Sequence, residues 1–355
     1  MKIKKISIIH PYIEQRLDDI KQSVYPRHHL WGIDQIENER LWKTNLLRTE
    51  KTYCPAIIEK IFNKLFFKNS PGIKAEVSAW KESHTSDLIY SVCGPLSLSK
   101  FYKKSKVISW VFRAQNNLVK RFTDPYLQKN LQTNNSLLCL TPDAEKYFSK
   151  FVRAKFIPWC VDMKMFNGTP PINKPEKPFF LASGKTQRDY KTLVDAALDT
   201  KSDIRIIGPK NLKPLSTPDN LHWIDTTIDP PDKAIDYPTL RNWYAECIAV
   251  CIPLSGEAED TCGYTNMLEA MAMRKPVLMT RSGCLHIDPE SGGFGKLIEP
   301  KDSKGWASVM NELIENKEVA QILGENGRKI AERDFTIERF NRDIVSYIQG
   351  TLNAT

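Results

Sequence analysis

The feature that most constrains the fold of this chain is the stretch from Ile248 to Thr280, which reads as strand, loop, helix and strand. A mostly apolar run, 248–254, predicts a buried parallel strand. Good helix formers follow, and Lys275-Pro276 ends the helix because a residue before proline is driven into extended backbone. Residues 277–279 predict the next strand. Such a unit exposes a helix N-terminus at the carboxyl edge of a parallel sheet, a position that binds phosphate.

Apolar strand runs alternate with helical segments along most of the chain. This alternation predicts an α/β protein with doubly wound parallel sheets. A chain of 355 residues is too long for one ordinary core, so two domains are expected. The proline-rich stretch 168–178 has no periodicity and is typical of an interdomain linker.

Charge is unevenly distributed between the two halves. Residues 1–165 hold 28 Lys and Arg against 15 Asp and Glu, a net charge of +13, whereas the remainder carries −4. A basic half favours an acidic partner. No nucleic-acid-binding motif is recognisable, so we expect an anionic membrane surface or an anionic acceptor and no nucleic acid.

The segment from Pro55 to Lys68 predicts an amphipathic helix. Its apolar residues share one face and its lysines another: Ile58, Ile61, Phe62, Leu65 and Phe66 against Lys60, Lys64 and Lys68. The favoured interpretation is a helix packed on the sheet, and the alternative is a helix that lies at a membrane interface.

Cysteine usage and the N-terminus bear on the compartment. The eight cysteines are scattered without a CxxC pair, which favours reduced thiols over disulfides or metal. No run of about 18 apolar residues exists, so no spanning helix is expected. The apolar part of the N-terminus, 6–9, is too short for a signal-peptide core. We therefore expect a cytoplasmic protein, with the inner face of a membrane as a second place where it acts.

Four blocks resemble the retaining glycosyltransferases of the GT-B fold (glycosyltransferase family 4, the group 1 glycosyl transferases). Their interdomain segment is similar to residues 156–166, FIPWCVDMKMF, in which Cys160 replaces the usual glycine. FFLASGKTQRDYKTLVDAA, 179–197, resembles the loop whose basic residues bind the diphosphate. The block whose glutamate binds the nucleotide ribose in this family resembles residues 263–283, GYTNMLEAMAMRKPVLMTRSG. The C-terminal helices of the family resemble residues 323–340, LGENGRKIAERDFTIERF.

The resemblance implies two Rossmann-like, doubly wound parallel-sheet domains that face each other across a cleft. We expect residues 1–165 to form the acceptor domain, residues 166–335 the nucleotide-sugar donor domain, and residues 336–355 a helix that crosses back to the first domain. The implied activity is retaining transfer of a hexose-type sugar from a nucleoside diphosphate donor, UDP- or GDP-linked, to a glycan, lipid or small acceptor. Polysaccharide or glycolipid biosynthesis is the matching process. His28 and His29 are then either a solvated loop pair or part of the acceptor site.

The resemblance also assigns site residues. A diphosphate leaving group needs its negative charge stabilised while the sugar becomes oxocarbenium-like. Lys185 and Arg188 would supply positive charge, with Arg188 able to bind two phosphate oxygens at once. Glu269 would accept hydrogen bonds from two ribose hydroxyls. The other nucleotide-binding candidates are Gly184 and the helix-start residues Gly263, Tyr264, Thr265 and Asn266.

The sequence departs from the family at the sugar side of the site. A first glutamate usually lies eight residues before Glu269, and that position here is Thr261. Glu257, Glu259 and Asp260 lie nearby, and we take Glu259 as the catalytic candidate. The resemblance implies metal-independent transfer with the sugar nucleotide as substrate and no cofactor, and the sequence shows no metal-ligand cluster. The alternatives are a sugar-nucleotide epimerase and a non-catalytic nucleotide-sugar-binding or scaffold protein.

Overall fold

The protein divides into two compact units in the computed structural model. The model describes residues 3–40, 42–67, 70–102, 104–112, 135–170, 175–227, 234–256, 261–282 and 286–354. Unit 1 comprises Met1–Lys21, His28–Trp159 and Ile337–Thr355, and unit 2 comprises Gln22–Arg27 and Cys160–Thr336.

Unit 1 is built on a six-stranded parallel sheet. The strand order is β2-β1-β3-β4-β5-β6. The strands are β1 (Lys4–Ile9), β2 (Trp42–Leu46), β3 (Leu88–Ser91), β4 (Lys106–Val111), β5 (Asn135–Cys139) and β6 (Arg153–Phe156). Its helices include α1 (Leu17–Lys21), α2 (Ile33–Asn38), α3 (Ala56–Leu65), α4 (Ile73–Glu82) and α5 (Pro142–Phe148). Every residue of β3 is buried, as expected for a central strand covered on both faces.

Unit 2 carries a second six-stranded parallel sheet. The order is β12-β11-β10-β7-β8-β9. The strands are β7 (Phe179–Ser183), β8 (Asp203–Gly208), β9 (Leu221–Asp225), β10 (Val250–Ile252), β11 (Val277–Thr280) and β12 (Gly295–Ile298). The helices are α6 (Tyr190–Ala197), α7 (Tyr237–Glu246), α8 (Tyr264–Ala272), α9 (Ser303–Glu315) and α10 (Lys317–Asp334). The chain adds β8 and β9 on one side of β7 and β10 on the other, so a topological switch point lies between β7 and β10.

The last helix, α11 (Ile337–Asn353), belongs to unit 1 although it follows unit 2 in the chain. Phe340 is fully buried, and its ring stacks on Trp110 with the centroids 5.7 Å apart. Gly32, at φ 84°, lies directly before α2, and a Cβ there would be 3.3 Å from Ile344 of α11. Glycine at this position therefore allows α2 and α11 to approach closely.

Helix α3 differs from the favoured expectation. None of its residues is buried, and its large apolar side chains are exposed. Its polar side chains instead meet α4: Glu59 pairs with Lys74 at 2.9 Å, and Asn63 Oδ1 accepts from the Ile73 amide at 2.8 Å. The prediction that this helix packs on the sheet by its apolar face is therefore wrong.

Two other features of unit 1 depart from sequence-based expectation. The pattern does not predict β2, because this edge strand alternates buried with exposed, largely polar residues. His28 is only 2% exposed and meets the Trp159 ring edge-on at 5.3 Å, so a solvated loop pair is wrong for His28.

The described part of the chain contains seven free cysteines. None of the helices in that part is long and apolar enough to cross a membrane.

Candidate functional site

A cavity of about 240 Å³ lies at the switch point of unit 2, where the carboxyl ends of β7 and β10 meet. The loops after these two strands are hydrogen-bonded to each other. The Asp189 amide donates to the Pro253 carbonyl at 3.1 Å, and the Ser255 amide donates to the Gln187 carbonyl at 3.0 Å. Switch points of open α/β sheets are where such folds bind their ligands.

The lining of the cavity has a polar part and an apolar part. The polar part consists of Ser183, Lys185, Thr226, Thr265, Asn266 and Glu269, and the apolar part of Gly184, Ile207, Ile235, Tyr237 and Leu240. A few converging polar groups beside an apolar wall are typical of small-molecule sites.

Gly263 determines where helix α8 begins. Its φ is 86°, and a Cβ at this position would lie 2.5 Å from Cγ2 of Ile252. Only glycine fits both the left-handed backbone and this close approach. No side chain of the described residues caps the helix, and first-turn residues Thr265 and Asn266 line the cavity. The positive end of the helix dipole therefore lies at the cavity.

Glu269 lies in the second turn of α8 and lines the cavity although it is only 2% exposed. Tyr244 of α7 donates its hydroxyl hydrogen to Glu269 Oε2 at 2.8 Å. Burial raises the pKa of Glu269 to about 8, and the Tyr244 hydrogen bond partly opposes this rise. The carboxyl group is therefore largely protonated at neutral pH.

Arg188 is 8% exposed and connects the loop after β7 with α8. Its Nη2 donates to Asn266 Oδ1 at 2.8 Å, while Nε and Nη1 donate to the carbonyls of Ser183 and Thr186 at 3.2 and 3.0 Å. Asn266 Nδ2 donates in turn to Ser183 Oγ at 2.7 Å and to the Tyr244 hydroxyl at 3.2 Å. A continuous network thus joins Arg188 to Glu269 through Asn266 and Tyr244.

Gly184 makes room for the guanidinium group. Its φ is 123°, and a Cβ there would lie 2.6 Å from Arg188 Nη2. The Tyr190 hydroxyl donates to the Gly184 carbonyl at 2.7 Å and holds this loop in place. The positive charge of Arg188 therefore lies directly beneath the loop backbone.

The structure brings five of the nine predicted site residues together at the cavity: Gly184, Lys185, Thr265, Asn266 and Glu269. Gly263 forms the start of the helix beside them, and Arg188 lies behind the loop. Tyr264 points into the core, where its ring meets His286 edge-on at 5.9 Å, and its amide donates to the Thr261 carbonyl at 3.2 Å. Glu259 and its neighbours Glu257 and Asp260 lie outside the described residues.

Sequence reasoning missed Ser183, Tyr237 and Tyr244. Ser183 is the last residue of a buried strand at the sheet edge where the site was expected, and that position could have identified it. Tyr237 and Tyr244 belong to α7, and no local pattern shows that their side chains meet residues of another helix.

Unit 1 has a switch point of its own, between β1 and β3. His10 follows β1, and its Nε2 lies 2.9 Å from the His29 carbonyl, while its Nδ1 lies 3.6 Å from Cys93 Sγ after β3. Burial lowers the pKa of His10 to about 4 and that of His28 to about 3. These imidazoles are neutral at physiological pH, so they act as hydrogen-bonding groups and not as cations.

Comparison with known proteins relates part of the chain to a known family. Residues 185–316 match the family model of the group 1 glycosyl transferases. An uncharacterised glycosyltransferase of Methanocaldococcus jannaschii is 26% identical over 158 residues, which are 43% of this chain and 42% of that relative. The chain therefore matches less than half the length of this relative.

Solved structures are similar over nearly the whole chain. Sucrose-phosphate synthase from Thermosynechococcus elongatus has a TM-score of 0.70 at 16% identity, covering 99% of this chain and 100% of that one. WaaG, a glycosyltransferase involved in lipopolysaccharide biosynthesis, has a TM-score of 0.63 at 12% sequence identity. The similarity covers 97% of this chain and 100% of WaaG. Anabaena HepE in complex with UDP has a TM-score of 0.61 at 12% sequence identity, and the similarity covers 98% of this chain and 100% of HepE. The chain has the GT-B fold, and its residues 185–316 match the group 1 glycosyl transferases.

Proposed function

We propose that this protein transfers a hexose-type sugar, with retention of configuration, from a nucleoside diphosphate donor to a glycan, lipid or small-molecule acceptor. The observation that carries the proposal is the meeting of Lys185, Glu269 and the start of α8 at one cavity, at the switch point of unit 2. A cation, a helix N-terminus and a buried carboxyl group are together suited to a phosphorylated ribose.

The lining suggests an orientation for the donor. The base would lie against Ile207, Tyr237 and Leu240, and the ribose hydroxyls would donate to Glu269. The diphosphate would then lie at the start of α8, beside Lys185. The volume of about 240 Å³ is just below the ~300–1,000 Å³ of complete small-molecule sites, so it fits the nucleoside rather than the whole sugar nucleotide.

In this proposal the protein acts on the leaving group. Lys185 and the helix dipole stabilise the negative charge that develops on the diphosphate, and Arg188 adds positive charge from beneath the loop. Glu269 is the only carboxylate that lines the cavity among the described residues, and its place is at the ribose. As the resemblance to the retaining GT-B enzymes implies, we propose front-face attack within an ion pair, without a covalent intermediate. These cations take the place of a metal, so a chelator should leave the transfer rate unchanged.

We propose that the acceptor is bound by unit 1. The sheet edge where His10, His29 and Cys93 meet offers neutral hydrogen-bonding groups, which suit the hydroxyl groups of a sugar or another uncharged acceptor. A lipid-linked acceptor would be met at a membrane surface.

A second candidate is a non-catalytic protein that binds a nucleotide sugar. It is motivated by Thr261, which occupies the place of the usual first glutamate. This candidate predicts nucleotide binding but no turnover with any donor. A sugar-nucleotide epimerase would instead interconvert its donor without an acceptor.

A thermal-shift screen tests the donor site. UDP or GDP should raise the melting temperature, because a ligand that binds only the folded state stabilises it by mass action. Glu269→Ala should reduce this shift, whereas Glu318→Ala, an exposed carboxylate in the first turn of α10, should leave it unchanged. If neither nucleotide stabilises the wild-type protein at millimolar concentration, the proposed donor site is wrong.

A further inference from the structure

Helix α3 has a reversed polarity: its apolar face is exposed, and its polar face is turned toward unit 1. An amphipathic helix on a globular protein normally buries its apolar face and exposes its polar face. In α3 the residues that approach α4 are Glu59 and Asn63, and the apolar residues face away from the protein. Burial within unit 1 therefore cannot be the purpose of this apolar face.

The exposed face is continuous. Ile57, Ile61 and Leu65 are spaced by four residues and form one stripe, and their side chains are 75%, 48% and 55% exposed. Ile58, Phe62 and Phe66 form a parallel stripe, also exposed. Six large apolar side chains on one short helix make a patch that a soluble surface rarely carries without a partner.

Positive charge borders this patch. Lys60 and Lys64 follow Ile57 and Ile61 by three residues, which places each lysine beside an apolar residue of the first stripe. Both lysines are exposed, and neither forms an ion pair within the part of the chain that the structure describes. The segment 51–70 contains four lysines and a single acidic residue, Glu59, which pairs with Lys74 of α4.

We propose that α3 is a docking helix for an anionic lipid surface. Its two apolar stripes would enter the boundary between headgroups and acyl chains, while Lys60 and Lys64 reach lipid phosphates. Ten residues of helix span only ~15 Å, so α3 lies along the surface and does not cross it.

The charge pattern favours a membrane over a second copy of the chain. Two copies that met through this face would bring the same lysines together, on a half of the sequence that carries a net charge of +13. An anionic bilayer instead complements both the charge and the apolar residues. Membrane docking does not depend on the proposed glycosyl transfer, since it uses no residue of the unit 2 cavity.

Co-sedimentation of the full chain with vesicles tests the proposal. Vesicles that combine phosphatidylcholine with phosphatidylglycerol should bind the protein, and vesicles of phosphatidylcholine alone should bind much less. Raising the salt concentration from about 0.1 M to about 1 M should release most of the bound protein, because the Debye length falls from ~10 to ~3 Å. Binding that ignores both lipid charge and salt would overturn the electrostatic part of the proposal.

Two sets of variants separate the contributions. Ile57→Ser/Ile61→Ser/Leu65→Ser should abolish sedimentation with anionic vesicles. Lys60→Glu/Lys64→Glu should weaken the affinity for these vesicles roughly 20-fold or more, because each lysine near an anionic lipid surface strengthens binding to it. The matched controls carry equally exposed residues of unit 2. Leu198→Ser/Ile322→Ser and Lys317→Glu/Lys329→Glu should bind like the wild type. Far-UV circular dichroism of each variant confirms that it is folded.

Measuring the oligomeric state tests the alternative that a second copy of the chain covers α3. Sedimentation equilibrium should show that the wild type and the triple serine variant have the same mass. A wild-type dimer that this variant dissociates would show that a second copy covers α3, and the proposal would be wrong. Folded α3 variants that sediment with anionic vesicles as the wild type does would also overturn it.

Discussion

Glu269 is a carboxyl group kept in an unusual protonation state by its position. It is buried, its pKa is raised to about 8, and one hydroxyl donor, Tyr244, holds Oε2. Hydrogen bonds donated to a carboxylate favour its charged form, so ribose hydroxyls would oppose the effect of burial. We expect a bound nucleotide to lower the pKa of this group and to release a proton.

The raised pKa has a consequence for stability. Between pH 4.5 and about 8 the folded protein retains a proton on Glu269 that the unfolded chain has released, so this group's contribution is present at low pH and is lost as pH rises through about 8. Glu269→Gln removes the titration. Relative to the wild type, this variant should gain stability as pH rises, by on the order of 4 kcal/mol at most.

Urea unfolding at about pH 5 and about pH 9 measures this difference. Glu318→Gln is the matched control, because its carboxylate is exposed. A difference between Glu269→Gln and the wild type that stays constant with pH would show that Glu269 does not titrate in this range.

The position of a residue is predictable from sequence where a local pattern encodes it. Glu269 and Asn266 share a helix whose start and end are marked by Gly263 and Pro276, so their approach to one sheet edge is predictable. The hydrogen bond from Tyr244 depends on how α7 packs beside α8, which no spacing within either helix records. The burial of Arg188 likewise depends on the Asn266 side chain, 78 residues away in sequence.

At the scale of elements, the start of α8 depends on one glycine. Gly263→Ala should destabilise the protein by about 3 kcal/mol, because it adds a contact with Ile252 to the cost of a left-handed backbone. Gly256→Ala is a matched control: its φ is also positive, at 64°, but a Cβ there meets no atom of the described residues within 4 Å. It should therefore cost only about 1–2 kcal/mol.

Urea unfolding compares the two variants, and a UDP or GDP thermal shift reports on the site itself. We expect the nucleotide shift to be lost in Gly263→Ala and kept in Gly256→Ala. Equal costs for the two substitutions would mean that the contact with Ile252 relaxes freely.

Helix α3 shows which property of an element the sequence cannot supply. Its periodicity predicts an apolar face and a lysine-bearing face, and both exist. Periodicity does not say which of the two faces is buried, because that depends on the neighbouring helix. Here α4 offers Lys74 and the Ile73 amide, which pair with Glu59 and Asn63 and turn the apolar side outward.

At the scale of the molecule, the last helix is part of the first unit. Phe340 of α11 packs against both Trp31 and Trp110, with ring centroids 5.9 and 5.7 Å away. Phe340→Ala should destabilise unit 1 by about 3–5 kcal/mol, as expected for a large buried ring replaced by a methyl group. Unit 2 should retain the proposed nucleotide site.

Hydrogen exchange followed by mass spectrometry locates this effect. Exchange should increase in peptides from β3, β4 and α2, while peptides from β7, β10 and α8 should show the same protection on addition of UDP or GDP as we expect for the wild type. Arg342→Ala, an exposed residue on the same helix, should change neither. Loss of nucleotide protection in Phe340→Ala would show that the two units do not respond independently.

The reversed polarity of α3 also makes two properties of the molecule separable. Glu59 and Asn63 attach the helix to its unit, whereas the isoleucines, leucine and phenylalanines on the opposite side contribute little to folding because they remain exposed. In the proposed docking, substitutions on the outer side would therefore change lipid binding without changing how the protein folds. For protein engineering, α3 is therefore a surface that can be redesigned by itself. A variant with a polar outer side would keep the fold and lose the proposed binding to lipid.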